Sequence, residues 1–345
     1  MIIFWGITSG FYWLTLYDRQ IQDETWLTST PEDQGMDSVK LDQITNYIIQ
    51  QKFAIDSLLI VRHGYLIFEK YFSLEEYFGN IQSNQDNMHS LYSVTKSFTS
   101  ALIGIAIEEG YIDDTSMKVI EFFPESIIEN LDSRKENMTL KHLLTMTTGF
   151  EWDEWTGNSA LQMMKSLNPT EYILDLPMKN EPGTVLTYCT GASHLLSAII
   201  QKTTGKTTLE FARKYLFNPL GISEVQWTYD QQNIYHGGYG LSLTSRDMAK
   251  FGYLYLNNGT WNGKRIISTD WVIESIQPYN FFQENSGYGF QWWILPEINV
   301  YYASGLYGQS IYVAPDDDMI VVFTAEISSN LIIEDLFNSI LTAII

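Results

Sequence analysis

A chain of 345 residues, 45% apolar and 18% charged, can bury a sizeable core in one large domain or two and does not have the composition of a disordered protein. Its 41 acidic against 20 basic residues leave a net charge of -21, which argues against nucleic acid or an anionic membrane as a partner bound through a basic patch. The single cysteine, Cys189, rules out an intrachain disulfide, and five scattered histidines without H-x-x-x-H spacing point to no metal site and no cofactor.

Residues 2–17 are strongly apolar and end at Asp18-Arg19. The run is shorter than the roughly 20 residues of a spanning helix. It has no positive leading region and no small-x-small cleavage pattern close behind it. It reads either as a signal or anchor, the one membrane contact the sequence offers, or as an element docked on the body. Exported, anchored and cytoplasmic locations all stay open, and so does the oligomeric state.

Residues 28–35 are polar and breaker-rich and read as an entry loop. A helix starts near Asp37-Ser38, with Leu41, Ile44 and Ile48 on one face. Residues 57–62 and 65–72, two apolar and aromatic runs around His63-Gly64, read as a β-hairpin. Residues 74–90 lack a period and read as a loop.

From Val94 the period becomes helical, with Phe98, Leu102, Ile105 and Ile107 near one side and Gly110 as a stop. Ser93 and Lys96 stand three apart at the expected first turn, so they share a face. Unpaired amides and the helix dipole favour negative charge at that end. A serine with an adjacent base there has what nucleophilic catalysis asks for. The plain alternative is a polar first turn, because about one S-x-x-K match is expected by chance in a chain of this length.

Further helices are expected over 140–146, 192–204, 208–217, 246–257 and 271–276, each with Ser, Thr or Asp near its start. Strands follow at 288–295, 299–303, 310–314 and 319–325, then a helix over 331–344. Pro315-Asp316-Asp317-Asp318 reads as a solvated hairpin turn rather than a cation site. The order is strands, helices, strands. It predicts an α+β fold in which an antiparallel sheet from both chain ends is flanked by helices. Residues 26–80 and 285–345 then form one domain, 81–284 a mostly helical one, and the cleft between them holds the site.

No G-x-S-x-G elbow occurs, so Ser93 needs a base other than histidine. Lysine serves only when neutral, which desolvation or a positive field favours. At this point the sequence resembles the serine β-lactamase-like hydrolases: class C β-lactamases, D-alanyl carboxypeptidases and family VIII esterases. The resemblance is carried by Ser93-Val94-Thr95-Lys96, by His142-Leu143-Leu144-Thr145-Met146-Thr147-Thr148-Gly149, and by Glu181-Pro182-Gly183-Thr184 followed by Tyr188. Asn218-Pro219-Leu220-Gly221 and the run from Gly240 to Ala249 are also family-like, and the matches keep family order over about residues 26 to 326.

The resemblance implies Ser93 as nucleophile, Lys96 as base and Tyr188 as proton carrier, as phenolate or through its hydroxyl. It implies an oxyanion hole from the backbone amides of Ser93 and Leu306. Thr190 stands where most members have Asn, which resembles the branch that hydrolyses aminohexanoate oligomers. The third motif falls at Ala303-Ser304-Gly305, without the cation that holds a β-lactam carboxylate. Thr190, Ser304 and Gly305 are then substrate-side residues. Trp152, Trp155, Trp292 and Trp293 are candidate pocket walls with core packing as the alternative, Gly308 and Gln309 are similarly ambiguous, and His236, just before Gly237-Gly238, reads as a surface or satisfied histidine, with an approach to the site as the alternative. The expected function is hydrolysis of small esters or amides. The alternatives are a D-alanyl carboxypeptidase or weak β-lactamase, and a non-catalytic penicillin-binding-protein-like module.

Overall fold

In a computed structural model, residues 26–72, 84–283 and 285–345 are described; the apolar segment 2–17 lies outside them. Ile55–Arg62 (β1) and Tyr65–Tyr71 (β2) form the hairpin. His63 and Gly64 both take positive φ, 50° and 78°, the turn whose twist matches the flanking strands. Six strands near the other end join them: Asn280–Gln283 (β3), Ser286–Tyr288 (β4), Trp293–Leu295 (β5), Val300–Ser304 (β6), Ser310–Ala314 (β7) and Met319–Ala325 (β8). The sheet order is β2-β1-β8-β7-β6-β5-β4-β3, with every neighbouring pair antiparallel. Leu59 faces Val322 across the β1–β8 seam, so the two chain ends meet in mid-sheet and the fold is α+β.

Five helices matter for the site: Ser38–Gln51 (α1), Thr95–Glu108 (α2), Thr190–Thr204 (α3), Ser245–Leu256 (α4) and Leu331–Leu341 (α5). Leu58, Ile60, Tyr312, Val321 and Phe323 point to one face of the sheet and pack with α1 and α5. Leu59, Val61, Ile311, Ile320 and Val322 point to the other, under α2 and α4. With both faces covered, β1 is buried at every position, which is why it reads as a continuous apolar run.

α2 is buried on all sides from Thr95 to Ala106, not along the single face that its Phe98, Leu102, Ile105 and Ile107 suggested. Two of its polar residues are tied to the tertiary structure: Ser97 Oγ donates to Gln291 O at 2.7 Å and Thr99 Oγ1 to Gly237 O at 2.7 Å.

Four expectations are corrected. The strand expected over 288–295 is broken by residues 289–292, where Gln291 takes φ 64°. Its amide donates to Leu143 O and Leu144 O and accepts from Ser193 Oγ, so the break ties the sheet to two helices. The expected loop 74–90 contains a strand, Met88–Ser90, paired with Leu241–Thr244, while 73–83 lie outside the described residues. The helix expected over 208–217 ends at Ala212 and continues as a wider turn, Arg213–Phe217. The last helix stops at Leu341 rather than residue 344. Among the described residues no helix is long and apolar enough to cross a membrane.

Candidate active site

Ser93 sits in a short 3-10 turn, Tyr92–Val94, that runs into α2, so it precedes the α-helix rather than lying in its first turn. Tyr92 takes φ 46°, an uncommon conformation for a bulky residue, and the Ser93 side chain is left half-buried and reachable. One turn on, Lys96 is buried to 1% exposure. Its Nζ lies 3.0 Å from Ser93 Oγ, 3.1 Å from Thr190 Oγ1 and 2.9 Å from Gly238 O. Three acceptors match the three protons of an ammonium. Burial opposes that charge and pulls the amine down to about 8, against a smaller upward pull from Glu154.

Tyr188 lies just before α3. It is 7% exposed, and its hydroxyl lies near enough to Ser93 for the serine to favour the phenolate slightly. Burial pushes its phenol well above the ordinary range, so it is protonated at neutral pH rather than a phenolate. The Lys96 Nζ stands 4.9 Å from the centre of its ring.

Two glycines allow this convergence. A Cβ on Gly238 would lie 2.9 Å from Thr190 Cγ2 and 3.3 Å from Lys96 Nζ. One on Gly305 would lie 2.4 Å from Leu91 O and 3.2 Å from Ser93 N. Only a residue without a side chain lets the end of β6 press against the turn that carries Ser93. Leu306 follows at the surface, and Tyr307, at φ 63°, meets the Tyr92 ring edge-on at 5.1 Å.

A serine, a buried lysine of lowered basicity and a tyrosine meeting at the end of a β-strand form an arrangement that can be checked against known proteins. A model of the beta-lactamase family matches residues 32–330. The chain belongs to the beta-lactamase family. A 6-aminohexanoate-dimer hydrolase of Paenarthrobacter ureafaciens is 26% identical over 263 residues, 69% of this chain and 66% of that one. The match thus spans a little under two thirds of that relative. A solved structure from Bacillus anthracis, assigned to the 6-aminohexanoate-dimer hydrolases, has TM-score 0.73 at 25% identity, covering 86% of this chain and 80% of that one. A family VIII carboxylesterase shares the fold, with TM-score 0.74 at 14% identity over 92% of this chain and 99% of that one.

This beta-lactamase-family site contains a residue that sequence reasoning missed. Glu154 accepts from Thr190 Oγ1 at 2.6 Å, Thr190 N at 3.0 Å and Trp152 Nε1 at 2.7 Å. A chain of bonds therefore runs from Ser93 through Lys96 and Thr190 to Glu154. Nothing local marks an acid about 60 residues from Ser93; its one sign in the sequence is its place between Trp152 and Trp155.

Several candidates take other places. The Thr190 hydroxyl is engaged by both Lys96 and Glu154, so it buttresses the lysine instead of facing substrate. Trp152 is 7% exposed, packed against Gly191, and reaches the site only through Glu154. Trp292 is fully buried in the core, whereas Trp155 and Trp293 stack on Tyr188. Ser304 faces a cavity beside the site. Gln309 is buried and its amide donates to Ala325 O, and Gly308 packs against Ile327.

His236 is neither a surface nor a satisfied histidine. Its Nδ1 is buried with no partner among the described residues, and burial together with His194 pulls the ring down to about 4. It stacks on Tyr239 at 4.4 Å, and its carbonyl accepts from Trp227 Nε1 at 2.9 Å, anchoring the segment that leads to Gly238.

Proposed function

We propose that this chain is a serine hydrolase that cleaves ester or amide bonds of small substrates through an acyl-enzyme on Ser93. The observation that carries the reading is the buried Lys96 amine, 3.0 Å from Ser93 Oγ and lowered to about 8. An amine of that basicity is neutral in roughly one molecule in ten at pH 7 and in half at pH 8. The neutral amine has a lone pair for the serine proton, and the Tyr188 hydroxyl lies beside the same serine.

In the proposed course, Ser93 Oγ attacks the substrate carbonyl while its proton passes to Lys96 directly or through Tyr188. The backbone N–H groups of Ser93 and Leu306 receive the oxyanion; donors set against developing charge are worth several kcal/mol. As the C–O or C–N bond breaks, the Tyr188 hydroxyl protonates the leaving group and is reprotonated from the Lys96 ammonium. Water then attacks the acyl-enzyme through the same groups in reverse, which frees the acid and restores Ser93.

Ala303 supplies no cation for a substrate carboxylate, which favours neutral esters and amides over β-lactams and D-Ala-D-Ala peptides. The hydrolase named for 6-aminohexanoate dimers adds support for amide substrates. The test is labelling with a fluorophosphonate, together with turnover of short p-nitrophenyl esters and of nitrocefin. Ser93 should label, esters should turn over, and Ser93→Ala should abolish both. An unlabelled Ser93 with no ester turnover would leave a binding module, and nitrocefin turnover as fast as ester turnover would favour the β-lactamase alternative.

A further inference from the structure

Asn330 stands at the start of α5, where an asparagine ordinarily turns back to accept the first amides of its own helix. Here it does not. Its backbone is already helical, at φ -68° and ψ -14°, and its side chain makes no cap bond. The side chain reaches across to the end of β6 instead. Its Nδ2 donates to Ser304 Oγ at 3.1 Å and to Gly305 O at 2.9 Å.

The second bond falls on the peptide that joins Gly305 to Leu306. That peptide is trans, so its C=O and N–H point in opposite directions. A donor that holds Gly305 O toward α5 therefore turns Leu306 N–H away from α5. A Cβ on Gly305 would lie 3.2 Å from Ser93 N, so this peptide borders the other proposed oxyanion donor. The chain on either side is anchored separately. Gly305 N donates to Gln309 O at 2.8 Å, Tyr307 O accepts from Ile327 N at 3.1 Å, and the Tyr307 ring meets Tyr92, the residue before Ser93. Those contacts set where the loop lies. They leave the peptide plane free to rotate, and a glycine at 305 opposes that rotation least. A hydrogen bond on a carbonyl also polarises its amide and strengthens the N–H as a donor.

We propose that Asn330 is a positioning residue of the oxyanion hole: it locks the Gly305–Leu306 peptide so that Leu306 N–H meets the substrate oxygen. The catalytic part rests on the serine hydrolase reading; the lock on the peptide does not.

Asn330→Ala and Asn330→Asp test this in the whole chain. Alanine removes the donor. Aspartate keeps the shape and offers only acceptors, so it gives the answer even where alanine costs the fold. On a short p-nitrophenyl ester, kcat should fall about tenfold or more in both with KM little changed, because an oxyanion donor acts on the transition state. The readout that a merely structural role would not move is the carbonyl stretch of the acyl-enzyme in infrared difference spectra. Two N–H donors weaken that C=O bond, so its band should move to higher frequency in both variants. Unchanged kcat overturns the proposal. So does a lower kcat with an unmoved band, which would leave Asn330 as a tie between α5 and the sheet. The lock itself is read without catalysis, from crystal structures of the wild type and Asn330→Asp: the Gly305–Leu306 peptide should be rotated in the variant, and an unrotated one overturns the lock. A rotated peptide in a protein whose wild-type Ser93 does not label would remove the hydrolase reading and keep the lock.

Discussion

Glu154→Gln tests the charge balance around Lys96. The Lys96–Thr190 bond of 3.1 Å and the Thr190–Glu154 bond of 2.6 Å meet at one oxygen, so carboxylate and amine are no more than about 5.7 Å apart. Opposite charges at that separation attract by roughly 3 kcal/mol at an effective dielectric constant of about 20, or roughly two pKa units. Glu154 is half-exposed, and solvent screening reduces this to about one unit. The carboxylate holds the proton on Lys96, so removing its charge lowers the amine further below about 8. The assay is the pH dependence of kcat/KM on a short p-nitrophenyl ester. Activity in the wild type should rise with pH through about 8, as Lys96 loses its proton. In Glu154→Gln the rising limb should move down by about one pH unit. The substitution also sets an amide NH2 or a lost acceptor against Thr190 N and Trp152 Nε1, which loosens the loop. Loosening lets water reach Lys96 and moves the limb up toward 10.5, so the sign separates the two effects. A limb that stays in place or moves upward would refute the electrostatic account.

Lys96→Met should lower kcat/KM by about a thousandfold or more. In chemical denaturation it should also expose the burial cost of the charge. With the folded amine at about 8 and the unfolded one at 10.5, the wild type carries a penalty of roughly 3 kcal/mol below pH 8. That penalty fades as pH rises to 10.5, so the stability gap between variant and wild type should shift in favour of the wild type over that window; a gap independent of pH would contradict it. Tyr188→Phe keeps the stacked ring and loses the hydroxyl, and kcat should fall about 100- to 10,000-fold with thermal stability little changed. Gly305→Ala drives a methyl to within 2.4 Å of Leu91 O, so melting should report a loss of about 1–3 kcal/mol and ester turnover should fall. Wild-type turnover in that variant would mean that β6 need not press on the turn of Ser93.

The parts of the fold legible from sequence have local causes. The hairpin at His63-Gly64 and the strands over 310–314 and 319–325 follow from short-range pattern and turn chemistry. The break at Gln291 was not legible, because its partners, Leu143, Leu144 and Ser193, lie about 100 to 150 residues away. The same distance hid the all-round burial of α2: its serines and threonines look like a polar face until Gln291 and Gly237 are seen to receive them.

Ser93 and Lys96 were within reach of sequence because three residues of helical backbone set them side by side, whatever the rest of the chain does. Their basicity was not within reach. It depends on water being excluded by α3, by Gly238 and by the Tyr188 ring, and on how far away Glu154 is held. Spacing along a chain determines which side chains can touch; the dielectric and charge around them are properties of the packed interior, and only the tertiary structure decides those. The row of stacked rings from Tyr188 through Trp293, Tyr302 and Tyr312 to Phe337 has the same origin, since Tyr188 stands about 100 residues before the three strands and the helix that carry the others.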